Sequence, residues 1–204
     1  HLQKEEKKIR TEAGFRYVTH EAMIFPRYHQ LDAVRQLVAH SKEYGAGKNY
    51  LIQHSAGSGK SNTIAWLAHQ LSSLHNADDD KIFHSVIVIT DRVVLDRQLQ
   101  DTVAQFGQTD GVVQKIDEDT HQLTRALAGN VPIIITTIQK FPYVMNSIAT
   151  RAKQGVTIEL DTTGKRFAVI VDEAHSSQSG ETASELRAVL NQSGIESAIA
   201  AEFL

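Results

Sequence analysis

The chain has 204 residues, a formal net charge of −3 and no cysteine, with an isoelectric point of about 6.4. Disulfides and thiolate metal sites are excluded, and nucleic acid cannot be gripped by bulk positive charge, only by local contacts. A chain of this length buries roughly 70% of its extended-chain surface, enough for a core without covalent staples. Its longest apolar runs are strand-length, short of the ~18 residues that a membrane span needs.

The opening segment, "HLQKEEKKIR", mixes charges without apolar periodicity and reads as part of a solvated lead-in over residues 1–20. No linker splits the remainder, so 21–204 reads as one domain. Its first element is a helical pattern over Tyr28–Tyr44, closed by Gly45. Tyr50–Gln53 reads as a strand, followed by a glycine-rich turn and a helix over Lys60–His75 with Ile64, Leu67, Ala68 and Leu71 on its apolar face. The segment "NADDDK" is a solvated loop. Strands over Ser85–Thr90, Val112–Ile116, Ile133–Thr137 and Phe167–Asp172 alternate with helices over Val93–Phe106 and Gln122–Ala128, the latter ended by Gly129. Ile148–Lys165 is polar and irregular and reads as a surface insertion, and Thr182 with Glu185 forms a capping-box pattern that opens a further helix. Apolar runs without alternation mark strands buried on both faces. The order β, α, β, α therefore predicts an α/β fold, a mostly parallel, doubly wound sheet with helices on both faces.

Within "QHSAGSGKSNTIAWLAHQL", Gly57 and Gly59 stand directly before Lys60 and Ser61. Glycines permit the positive-φ conformations that curl backbone N–H groups around an anion. The following helix aims its unsatisfied N–H groups and its positive dipole end at the same point. Ala56, Gly57, Ser58 and Gly59 would cradle phosphates, Lys60 would reach the outer ones, and the Ser61 hydroxyl would sit on Mg²⁺. The full phosphate-loop pattern has a first glycine where this chain has His54. A flexible loop before a helix is the competing reading. The strand before the turn and the amphipathic helix after it weigh against that alternative.

A second site ends the strand in "FAVIVDEAHSSQ". Apolar residues leading into two carboxylates deliver acids to the carboxyl end of a sheet, where open α/β folds bind ligands. Asp172 would hold Mg²⁺ opposite Ser61, and Glu173 would accept a proton from the water that attacks the γ-phosphate. An acidic helix cap after a strand is the plainer alternative.

Together, Gly57–Ser61 and Asp172-Glu173-Ala174-His175 resemble the superfamily 2 helicases and translocases, with a RecA-like P-loop fold. "RYHQLDAV" looks like the adenine-sensing Q motif of that superfamily, which would put Gln30 on the adenine edge with Arg27 nearby. "VIVITDRVVLDRQLQDT", "VPIIITTIQKF" and "DEAHSSQSG" resemble motifs of the motor (R) subunit of type I restriction enzymes. The resemblance runs from Arg27 to about Gly180. It implies ATP and Mg²⁺ as cofactors, with Lys60, Asp172 and Glu173 as the catalytic set. Thr90, Arg92, Thr136, Thr137 and Gln139 would line a duplex DNA track. It also implies methyltransferase and specificity subunits as partners in a bacterial or archaeal cytoplasm, with no membrane. The threonines equally suit strand ends by β-propensity alone, and Arg92 equally suits a surface ion pair.

By the same resemblance the chain is a first motor lobe, expected to bind nucleotide but turn it over poorly alone. The family's endonuclease domain would precede it. The strand with the coupling motif and the second lobe would follow. The motor lobe of another superfamily 2 helicase is the nearest alternative. A P-loop small-molecule kinase gives no reason for Gln30 or "TTIQKF", and intact Lys60, Asp172 and Glu173 argue against a non-catalytic interaction module.

Overall fold

A computed structural model describes residues 2–11, 14–90, 93–106, 111–116, 120–141, 143, 164–172 and 199–203. The first two strands, β1 (Leu2–Thr11) and β2 (Gly14–Met23), pair antiparallel as a separate two-stranded ribbon. The charged opening segment thus lies in a ribbon whose second strand ends at Met23. Phe15, Tyr17 and Met23 are exposed on it, which is why no buried-strand pattern announced it.

The remaining elements follow in chain order: α1 (Tyr28–Tyr44), β3 (Tyr50–Ile52), α2 (Lys60–Ser72), β4 (Ser85–Thr90), α3 (Val93–Phe106), β5 (Val113–Lys115), α4 (Thr120–Ala128), β6 (Ile133–Thr137), β7 (Phe167–Asp172) and β8 (Ile199–Phe203). Six strands form one sheet in the order β3-β8-β7-β4-β6-β5, and every pairing in it is parallel. Non-consecutive neighbours joined through helices are what the alternating β and α signals require.

The sheet divides the core by strand alternation. Val86, Val88, Ile133, Ile135, Ala168 and Ile170 face one side and pack with Val34 and Leu37 of α1, Ile64, Leu67 and Leu71 of α2, and Leu99 and Val103 of α3. Ile87, Ile89, Ile134, Val169 and Val171 face the other side and pack with Leu123, Ala126 and Leu127 of α4. Helices therefore cover both faces, and the central strands carry apolar residues at every position for that reason.

Gly45 ends α1 at φ +70°, where its N–H returns to the Ser41 carbonyl. The second helix stops at Ser72, short of the expected His75. Ser72 and Ser73 explain this, because their hydroxyls donate back to the His69 carbonyl at 2.9 and 3.2 Å, competing with the backbone ladder. The structure also places β8 between β3 and β7, a strand that the apolar-run pattern left out. Thr182, Glu185 and most of Ile148–Lys165 lie outside the described residues.

Candidate functional site

The short strand β3 delivers the chain to a loop over 53–59, and α2 starts at Lys60. Gly57 and Gly59 adopt φ +72° and +86°, so both lie in the left-handed region that favours glycine. A Cβ at Gly57 would meet open space, whereas one at Gly59 would lie 2.6 Å from Gln30 Nε2. Gly59 is the N-cap of α2, and its carbonyl accepts the Asn62 and Thr63 N–H groups at 3.1 and 3.2 Å. Lys60 and Ser61, half-buried, begin the helix where its dipole is positive.

The loop is held from outside by the start of α1. Gln30 is buried, 3% exposed, and its amide is engaged on both sides. Its Oε1 accepts the Arg27 N–H at 2.8 Å, while Nε2 donates to the carbonyls of Gly59 at 2.9 Å and Ser58 at 3.3 Å. His29 Nε2 lies 3.2 Å from the same Ser58 carbonyl. Arg27 is the extended N-cap of α1 and is exposed. An adenine edge reaching Gln30 would have to share or replace these backbone partners.

His54, in the place of the missing first glycine, packs edge-to-face on His29 with centroids 5.0 Å apart and planes at 89°. Burial lowers its pKa below the ordinary histidine value, with His29 and Lys60 adding to the effect. Neither His29 nor its grip on the loop was foreseen, because a contact across 29 positions leaves no trace in periodicity. The only sequence signal was His54 standing where a glycine was expected.

Asp172 is the last residue of β7, half-buried and opposite Phe203 of β8 in the sheet register. Its strand is two places from β3, with β8 between, so the acid and the loop share one end of the sheet. Glu173 and Arg92 lie outside the described residues.

The expected DNA-track residues separate by exposure. Thr90 and Thr137 are cross-strand partners at the carboxyl ends of β4 and β6, and the Thr90 carbonyl accepts the Ile138 N–H at 3.2 Å. Thr90, Thr136 and Thr137 are 2%, 0% and 6% exposed. All three are buried at the ends of their strands. Gln139 is exposed in the turn that follows β6.

These residues fit a nucleotide phosphate and its cation. The loop is curled by two left-handed glycines and a lysine follows. The Ser58 hydroxyl is buried with no hydrogen-bond partner among the described residues. Ser61 and Asp172 offer the hard oxygen donors that Mg²⁺ prefers. Bound there, the cation would neutralise charge on the outer phosphates.

The family profile described as SWI2/SNF2 ATPase matches residues 29–195. A curated relative, the Type I restriction enzyme HindI endonuclease subunit of Haemophilus influenzae, is 30% identical over 161 residues, covering 76% of this chain and 14% of that protein's length. The UvsW helicase from Bacteriophage T4 superposes with a TM-score of 0.52 at 17% identity, over 88% of this chain and 52% of its own. A nuclease-deletion mutant of the Type ISP restriction-modification enzyme LlaGI, solved with a DNA substrate mimic, gives a TM-score of 0.54 at 18% identity, over 89% of this chain and 17% of its own. These two structural likenesses concern the fold, and they agree with a RecA-like α/β lobe.

Proposed function

This chain belongs to the SWI2/SNF2 ATPase family, and from that premise we propose that it is the ATP-binding motor lobe of a DNA translocase in a type I restriction endonuclease. The observation that carries the proposal is the loop over Gly57–Ser61 at the same end of the sheet as Asp172. It is supported by the likeness to the HindI subunit and by the motifs around Thr90, Gln139 and Asp172.

In this reading Lys60 binds the β- and γ-phosphates, Ser61 and Asp172 hold Mg²⁺, and Glu173 accepts the proton of the attacking water. Gln30 and Arg27 serve the adenine side. Thr90, Arg92, Thr136, Thr137 and Gln139 belong to the DNA track, with Gln139 the member already at the surface among those described. Duplex DNA and the methyltransferase and specificity subunits of a restriction complex are the proposed partners, in a bacterial or archaeal cytoplasm. The chain spans 14% of its curated relative's length; in this reading cleavage belongs to a separate nuclease domain. Residues 1–20 are assigned to a lead-in and 21–204 to the lobe.

The test is ATP-dependent displacement of a triplex-forming strand from duplex DNA by the protein assembled with its partner subunits. Displacement should require ATP, with a delay that grows with the distance from the loading site. ATP turnover without displacement at any distance would reject translocation. The broader family match then leaves the motor lobe of another superfamily 2 helicase as the alternative. Phosphorylation of a small molecule without DNA would point instead to a kinase.

A further inference from the structure

We propose that His29 is a positioning residue of the phosphate loop, holding the Ser58 carbonyl so that the following N–H faces the nucleotide, with His54 bracing its ring. The inference rests on the ATP-binding reading of the same loop. It starts from one carbonyl. Ser58 O lies 3.2 Å from His29 Nε2 and 3.3 Å from Gln30 Nε2. A carbonyl oxygen has two lone pairs, so two donors from α1 occupy both. The ring must carry its proton on Nε2 to make this bond.

The consequence follows from peptide planarity. In a trans unit the C=O and the next N–H point in opposite directions. Drawing the Ser58 carbonyl toward α1 therefore turns the Gly59 N–H away from α1. The next carbonyl, of Gly59, accepts the Gln30 amide at 2.9 Å together with the Asn62 and Thr63 N–H groups of α2, so Gln30 and the helix start together set the Lys60 N–H. Two consecutive donors are thus set before any phosphate arrives, and a preset donor loses less order on binding.

His54 gives the ring its orientation. It meets His29 edge-to-face at 5.0 Å and 89°, while His29 Nε2 lies on the Ser58 carbonyl. A glycine at position 54 would provide no such wall. Burial, with His29 and Lys60 adding to it, lowers the His54 pKa below the ordinary histidine value.

His29 is exposed, so its replacement leaves the core intact. The test is titration of a fluorescent ATP analogue with Mg²⁺ into the purified protein and four variants, each with a thermal midpoint. His29→Phe keeps a ring but loses the donor, and it should weaken binding about two- to tenfold, the scale of one neutral hydrogen bond. His29→Gln restores a donor and should recover most of that loss, while His54→Ala should lose affinity as His29→Phe does. Thermal midpoints should stay together, and in turnover the effect should fall on the KM for ATP, leaving kcat unchanged. Lys60→Ala is the reference for the loop itself. Weak binding by Lys60→Ala with wild-type binding by His29→Phe would overturn the positioning role alone. Wild-type binding by Lys60→Ala would overturn the loop reading and the proposal with it. A loss in His29→Phe matched by a fall in its midpoint and not recovered by glutamine would make His29 merely structural.

Discussion

Gln30 and Gly59 are fitted to each other: the Gln30 amide donates to the Gly59 carbonyl at 2.9 Å, and a Cβ on Gly59 would lie 2.6 Å from that amide nitrogen. The absence of a side chain at position 59 thus does two things. It permits φ +86° at the cap of α2, and it lets α1 approach the phosphate loop closely enough to hold it.

Gly59→Ala should therefore destabilise the protein by about 1–3 kcal/mol, the cost of a strained left-handed residue, and should also weaken ATP binding. Part of the loss belongs to the clash with Gln30. In a double-mutant cycle with Gln30→Ala, denaturant unfolding should give a combined loss smaller than the sum of the two. Strict additivity would mean that the two residues do not press on each other.

The acidic pair separates binding from chemistry. Glu173→Gln keeps shape but loses the proton acceptor, so ATP should still bind while hydrolysis falls by roughly 10²-fold or more. Asp172→Asn should instead weaken the Mg²⁺-dependent part of nucleotide affinity. Equilibrium titration with and without Mg²⁺, beside single-turnover hydrolysis, distinguishes the two. Normal hydrolysis by Glu173→Gln would assign the base elsewhere.

Two histidines predict acid sensitivity. Burial lowers the pKa of His54, with His29 and Lys60 contributing. Burial also lowers that of His84, helped by the Arg166 guanidinium, and His84 Nδ1 accepts the Arg166 N–H at 2.9 Å, a bond that a proton on Nδ1 would displace. Below about pH 6.5, the ordinary histidine value, the unfolded chain takes up protons that the folded chain resists. Stability should fall as pH drops through that range and level off above it. Urea midpoints at pH 7.5 and 5.5 measure the slope, and His84→Asn, which keeps an acceptor but cannot titrate, should flatten it. An unchanged slope in His84→Asn would remove His84 as a source.

The sheet was readable because its central strands are buried on both faces. Val86–Ile89 and Ile133–Ile135 have no polar alternation to confuse them with surface ribbons, and Gly45 announced the end of α1. The ribbon β1–β2 was not readable, since Lys4, Glu5, Glu6, Lys7 and Lys8 follow no two-residue apolar period. Nor was β8, whose "IAAEF" is short and alanine-rich. In the site, the turn at Gly57 and Gly59 ahead of Lys60 was readable, because glycine alone adopts positive φ at little cost and both adopt it. The clamp from His29 and Gln30 did not, being made by side-chain reach between distant segments. Residue type likewise could not tell whether Thr136 pointed at solvent or into the sheet; packing settles that, and it is fully buried.

Calorimetric titration of ATP with Mg²⁺ into the 204-residue chain and its Lys60→Ala variant tests the account most directly. Saturable binding at one site is predicted for the wild type. The variant should bind about 10- to 100-fold more weakly, the scale of a lost charge-assisted hydrogen bond. Equal affinities in the two proteins would contradict the assignment of Gly57–Ser61 as the phosphate loop, and with it the motor reading.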